Sequence, residues 1–159
     1  MDFLASRPPR CTLVNLDTQE RYECLLNPEG LTEKIGVQYR RHVVPGLGYQ
    51  PLQYESTTNR GVPSLEFLVD RRFVGTASEQ QDILRFRTFL LALTSPVTLG
   101  APSAPPRVLV VWPQVLTLEG VLTDVEFRYQ ALTSEGGVLA YTATCGFEEV
   151  LELRRTGEA

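Results

Sequence analysis

Apolar and polar residues alternate along most of the chain, most persistently in VLTLEGVLTDVEFRYQALT, residues 115–133. A period of two predicts β-strand. At about 3.3 Å per residue a straight strand of this length would span roughly 60 Å. A compact chain of this size has a radius of gyration of only about 15 Å. The strand must therefore bend. Its apolar residues fall first at even positions (Leu116, Leu118) and then at odd ones (Val121, Val125, Phe127, Tyr129, Ala131). One extra residue flips the faces of a strand and bends it, and glycine suits the place. A corner is expected at Gly120.

The same reading gives the other elements. CTLVNLDTQERYECLL predicts two short strands around a polar turn, and TEKIGVQYRRHVV a third with Ile35, Val37 and Tyr39 on one face. LQYEST and PSLEFLVD read as a pair joined by the turn-like TNRG. RVLVVWP (107–113) is a buried-type strand, and VLAYTATCGFEEVLEL (138–153) returns along the long one. One helix is expected over about residues 79–94. Ser78 and Gln81 form a capping box, Glu79 and Asp82 favour the positive end of the dipole, and Pro96 ends it. Ile83, Phe86, Phe89, Leu90 and Leu93 make its core stripe. Leu84 and Leu91 lie on a second side, covered by a loop or in contact with another subunit. Seven to nine strands and one helix predict a mainly β barrel or sandwich with one flanking helix.

The last hairpin has a predicted register. A three-residue loop, Glu135-Gly136-Gly137, with a glycine at positive φ, sets Tyr129 against Ala143, Phe127 against Cys145 and Val125 against Phe147. Its other face carries Asp124, Glu126, Arg128, Gln130, Thr142, Thr144 and Glu148, with Asp124 opposite Glu148. That face is either a solvated exterior or a polar wall lining a channel, and the sequence leaves both open.

Composition narrows the function. The chain has 159 residues, 43% of them hydrophobic, enough for one real core. A formal net charge of −4, with no basic run, argues against nucleic acid as partner. Cys11, Cys24 and Cys145 match no zinc spacing and sit in apolar strand contexts. Buried structural thiols are the simpler reading; a bridge or a reactive thiol is the sharper one. MDFLASRPPR is not a secretory signal, and no apolar run reaches the roughly 20 residues that span a membrane. Assembly in the cytoplasm is expected.

No catalytic constellation is legible. The single histidine, His42, sits beside Arg40 and Arg41 without a partner for acid–base work. Glu148 and Glu149 are neighbours on a strand, so they point to opposite faces and cannot act as a pair. No nucleotide, hydrolase or metal motif occurs. Neither an enzyme nor a cofactor or metal is expected.

Four stretches, taken in order, resemble a known family: LLNPEGLT (25–32), PGLGYQPLQYESTTNRGVPSLEFLVDRR (45–72), the helix DILRFRTFLLAL (82–93), and residues 104–150 from APPRVLVVWP to CGFEEV. Asn27-Pro28, Pro51, Gln53, Ser56, Arg60, Asp70, Pro105-Pro106, Trp112 and Gly120-Val121 carry the likeness. The family is the tube-protein domain of contractile injection systems, the adaptor often fused to a LysM module. Where the family usually has Gly after the Trp, this chain has Pro113-Gln114. No LysM-like segment follows residue 151, so peptidoglycan binding through one is not expected. The domain is expected over residues 10–153, with an N-terminal arm (1–9) and a C-terminal tail (154–159).

The resemblance implies a structural subunit with a tail-tube-like fold. Six copies would form a ring joining the inner tube to the baseplate hub and spike, within a phage-tail-like particle that is released or membrane-docked. The implied partners are further copies of itself, the tube protein and the hub and spike proteins, without nucleic acid or membrane. Pro45, Gly46, Leu47, Gly48, Tyr49 and Tyr54, with Leu84 and Leu91, would then be subunit contacts. Asp124, Glu126, Arg128, Gln130, Thr142, Thr144 and Glu148 would face the channel. The alternative is a monomeric β-sandwich that binds a ligand or peptide through loops 43–61 and 94–106, with Tyr49 and Tyr54 as its aromatic contacts.

Overall fold

The computed structural model describes residues 9–73, 83–96 and 104–151. Among these are eight strands: β1 (Thr12–Asn15), β2 (Arg21–Glu23), β3 (Val37–Arg41), β4 (Leu52–Thr57), β5 (Gly61–Asp70), β6 (Val108–Trp112), β7 (Leu116–Leu132) and β8 (Val138–Glu149). The single α-helix among them is α1 (Arg85–Ala92). Six strands form one antiparallel sheet in the order β2-β1-β6-β7-β8-β5, and β3 and β4 form a separate two-stranded ribbon. The fold is mainly β and sandwich-like, and its sheet does not close into a barrel within one chain.

The core lies between the sheet's apolar face and α1. Ile83, Phe86, Phe89, Leu90 and Leu93 are all buried, as the stripe predicts. The Phe86 ring stacks on Tyr22 of β2 at 4.4 Å and meets Phe67 of β5 edge-on at 5.4 Å. Those strands are opposite edges of the sheet, so the sheet curls and the helix plugs the curl. Tyr141 fixes the helix start by donating to the Ile83 carbonyl at 2.6 Å. Burial pushes the Tyr141 phenol well above its ordinary pKa, so it stays a donor. The regular helix begins at Arg85, with Leu84 as an N-cap that makes no side-chain cap bond. It is shorter than the expected 79–94. Ser78, Glu79, Gln81 and Asp82 lie outside the described residues.

β7 bends, but not where the alternation suggested. Burial stays on even positions through Leu122 and moves to odd ones from Val125. The register shifts between Leu122 and Asp124, so Thr123 is the extra residue. Gly120 serves close approach instead. A Cβ there would sit 2.0 Å from the Glu148 carbonyl oxygen.

The hairpin register differs by one two-residue step. Phe127 faces Ala143, Val125 faces Cys145 and Tyr129 faces Tyr141. The expected faces survive because the step is even. Asp124 lies opposite Gly146, not Glu148. The connection runs over residues 133–137, tied by Thr133 N–H to the Gly137 carbonyl and Gly136 N–H to the Thr133 carbonyl. Gly136 supplies the positive φ of 83°.

β4 and β5 do not pair across TNRG. β4 pairs with β3, and β5 pairs with β8. Thr58 holds the chain to Gly36, with N–H and hydroxyl donated to its carbonyl and the hydroxyl oxygen accepting its N–H at 2.7 Å. The segment therefore redirects the chain from ribbon to sheet. The three cysteines are buried free thiols. The hydrogen bond with Cys11, and then burial, hold Cys24 far above the ordinary thiol range, and burial does the same to Cys145. Neither is a nucleophile at neutral pH.

Candidate functional site

The ribbon β3–β4 is an arm. Every residue of both strands is exposed. Tyr39 opposes Tyr54, with ring centroids 6.2 Å apart, and Arg41 opposes Leu52. Alternation places Val37 on the same face as Tyr39. Val37, Tyr39, Leu52 and Tyr54 are between 49% and 60% exposed. The other face carries Gln38, Gln53 and Ser56, and Arg40 pairs with Glu55 at 2.7 Å. The arm is thus amphipathic, with its apolar side in water. Its tip contains Pro45, Gly46, Leu47, Gly48 and Tyr49, all exposed. Leu47 N–H donates to the Val44 carbonyl across Pro45-Gly46, with Gly46 at φ 88°. His42 contacts Gln53 beside the tip and faces solvent. The expected contacts Pro45 to Tyr49 and Tyr54 therefore gather on one projecting element. Leu84 and Leu91 sit apart on α1, exposed and half-buried respectively.

The arm's root is clamped. Lys34 and Gly61 exchange backbone hydrogen bonds at 2.8 and 2.9 Å. Arg60 donates from Nη2 to the Thr117 carbonyl at 2.8 Å and to Glu149 Oε1 at 3.2 Å, and its Nη1 lies 3.6 Å from Glu33. One guanidinium thus ties the arm's root to β7 and β8. Glu149 is engaged there while Glu148 faces away into solvent, as neighbours on a strand must. A cleft of about 410 Å³ opens beside this root, with Lys34, Asn59, Asp124 and Glu148 in its wall. Among the described residues no group of His, Cys, Asp or Glu could hold a metal ion.

The polar face of the main sheet is the second surface. Register sets Arg128, Thr142 and Leu68 in one row and Glu126, Thr144 and Glu66 in the next, with Asp124 beside Gly146. Asp124, Glu126, Arg128, Gln130 and Glu148 are exposed and Thr144 is half-buried. Thr142 is buried, with its hydroxyl oxygen accepting from Gln130 Nε2 at 2.9 Å. Sequence reasoning missed Glu66 and Leu68, which join this face only because β5 pairs with β8.

Two strand edges are open. β6 accompanies β7 only up to Gly120, so residues 121–132 have no strand on their far side among the described residues. Among the described residues the far side of β5 carries one bridge, Lys34 with Gly61. An open edge offers unpaired N–H and C=O groups to another chain. Charges on β7 and Pro63 with Glu66 on β5 discourage unguided pairing.

A model of the family described as contractile injection system tube protein matches residues 12–156. The chain belongs to that family. The family is structural, and the chain is a structural component of a phage-tail-like particle, not an enzyme. Among solved structures it is similar to a chain of the cryo-EM structure of the anti-feeding prophage baseplate. The identity is 11% and the TM-score 0.40, covering 94% of this chain and 95% of that one. A search among curated proteins finds no match. Among the described residues no helix is long and apolar enough to cross a membrane.

Proposed function

We propose that this tube-family chain forms a hexameric ring joining the inner tube to the baseplate hub and spike of a contractile injection particle. The observation that carries the proposal is incompleteness. Among the described residues, one chain leaves two long strand edges unpaired and the apolar side of its arm in water. Copies around a ring supply both edges. The arm, with Pro45 to Tyr49 at its tip and Tyr54 on its apolar side, reaches the adjacent copy or ring. Leu84 and Leu91 make lateral contacts. The polar face, Asp124 to Gln130 with Thr142, Thr144 and Glu148, lines the channel, where a hydrated wall lets cargo slide. The domain spans residues 10–153, and the ring assembles in the cytoplasm.

Mass measurement of the complex extracted from particles tests this reading. A hexamer of the 17.8 kDa chain is expected. A chain that sits singly in particles contradicts it. The exposed Tyr49 and Tyr54 also suit a monomeric binding module, and single copies in the particle would favour that module.

A further inference from the structure

Past Gly120 the six-stranded sheet narrows to three strands, β7, β8 and β5, between the two open edges, and that odd number fixes how copies join. β7, β8 and β5 alternate in direction, so β5 and β7 run the same way. Leu65, Cys145 and Val125 form one row, and Phe67, Ala143 and Phe127 the next but one. Rotation about a ring axis preserves the sense of every strand along that axis. A ring that brings the β5 edge of one copy to the β7 edge of the next must therefore pair them in parallel, although every pairing among the described residues is antiparallel. Resting on the ring reading above, we propose that the junction between copies is a parallel β5–β7 pair with Glu66 opposite Arg128 of the next copy.

Three constraints select that register. Closing strands around a channel requires a stagger between neighbours. The stagger must be even, or polar and apolar faces would exchange. Level pairing would also set Glu66 against Glu126. A two-residue shift one way sets Glu66 against Asp124, another like-charge pair. The opposite shift sets Glu66 against Arg128 and Leu68 against Gln130. On the other face it sets Leu65 against Phe127 and Phe67 against Tyr129, apolar throughout. Glu66 and Arg128 are exposed, and neither makes an ion pair among the described residues. Parallel pairs are slightly weaker per residue than antiparallel ones, which suits a junction that forms on a template and not in free solution.

Cysteine cross-linking in assembled particles reads the sense directly. Glu66→Cys and Leu68→Cys are each combined in one chain with Glu126→Cys, Arg128→Cys or Gln130→Cys. Within a copy, Glu66 and Glu126 flank Thr144, two strand spacings or about 9.6 Å apart. That exceeds the roughly 7 Å reach of a disulfide, so a bond at these positions joins two copies. The expected result is a ladder of linked chains for Glu66→Cys with Arg128→Cys and for Leu68→Cys with Gln130→Cys, both indices rising together. A crossed pattern, with 66 joined to 128 and 68 to 126, overturns the parallel sense. A rising pattern centred on another pair overturns the Glu66–Arg128 register. No link in particles whose rings are intact by microscopy overturns the junction while the ring stands. A chain found in single copies removes the ring itself.

Discussion

The arm and the main sheet are both antiparallel β-structure with alternating side chains, yet they hold together differently. In the sheet, alternate residues of β5 and β8 disappear beneath α1, and Phe86 is inaccessible between Tyr22 and Phe67. In the arm, the same alternation puts Val37, Tyr39, Leu52 and Tyr54 into water. A two-stranded ribbon alone is marginally stable. The difference separates two uses of one pattern: burial within the chain makes the fold, and the apolar surface left unburied on the arm is what the proposed ring would cover.

Substitutions should divide along that line. Phe86→Ala empties the centre of the curl and is expected to cost about 4 kcal/mol in denaturant unfolding. Gly120→Ala forces a Cβ onto the Glu148 carbonyl and is expected to cost about 3 kcal/mol. Gly146→Ala should cost less, because the Asp124 and Thr123 side chains that would meet its Cβ can turn aside. Gln114→Gly should gain stability. Gln114 holds φ 66° after Pro113, with Val115 N–H donating to the Trp112 carbonyl, a turn that favours glycine. The gain is about 1 kcal/mol, seen as a rise in Tm of about 2–4 °C.

Acid provides a finer contrast. The Asp70 carboxylate is buried and takes hydrogen bonds from the Arg72 guanidinium and backbone N–H. The guanidinium chiefly holds its pKa below the usual carboxylate range. Its contribution is therefore present above the unfolded pKa and lost as pH falls through the lowered folded value. Tm should drop as pH is taken from about 5 to about 2, and Asp70→Asn should flatten that slope. Arg40→Gln, which breaks the exposed Arg40–Glu55 pair of the arm, should leave the slope unchanged. Smallest of all, Tyr39→Ser with Tyr54→Ser should alter unfolding of the free chain by no more than about 0.5 kcal/mol. The same variant should fail to enter particles.

What the sequence made legible follows from the range of each interaction. The helix stripe, the strands and the polar face of β7 depend on local periodicity and were readable. Asn27, Arg60 and Asp70, marks of the family resemblance, each hold a structural contact: Asn27 joins the Cys11 N–H to the Pro9 carbonyl, Arg60 ties the arm's root to β7 and β8, and Asp70 receives Arg72. Non-local choices were hidden. Nothing in TNRG says that β4 will pair backwards with β3, so Glu66 and Leu68 were missed on the polar face. A bulge at Thr123 and a glycine at 120 leave nearly the same alternation, because Val121 is only half-buried. The cleft at the arm's root is walled by Lys34, Asp124 and Glu148, which are far apart along the chain.

In the proposed ring, copies of this chain complete one another's sheets. Cryo-EM of intact particles, with the subunit traced in the density, tests it most directly. A six-membered ring is expected, in which β5 of each copy lies one strand spacing, about 4.8 Å, from the distal half of β7 in the next. A lone subunit, or a ring whose β5 and β7 edges face solvent, would contradict it.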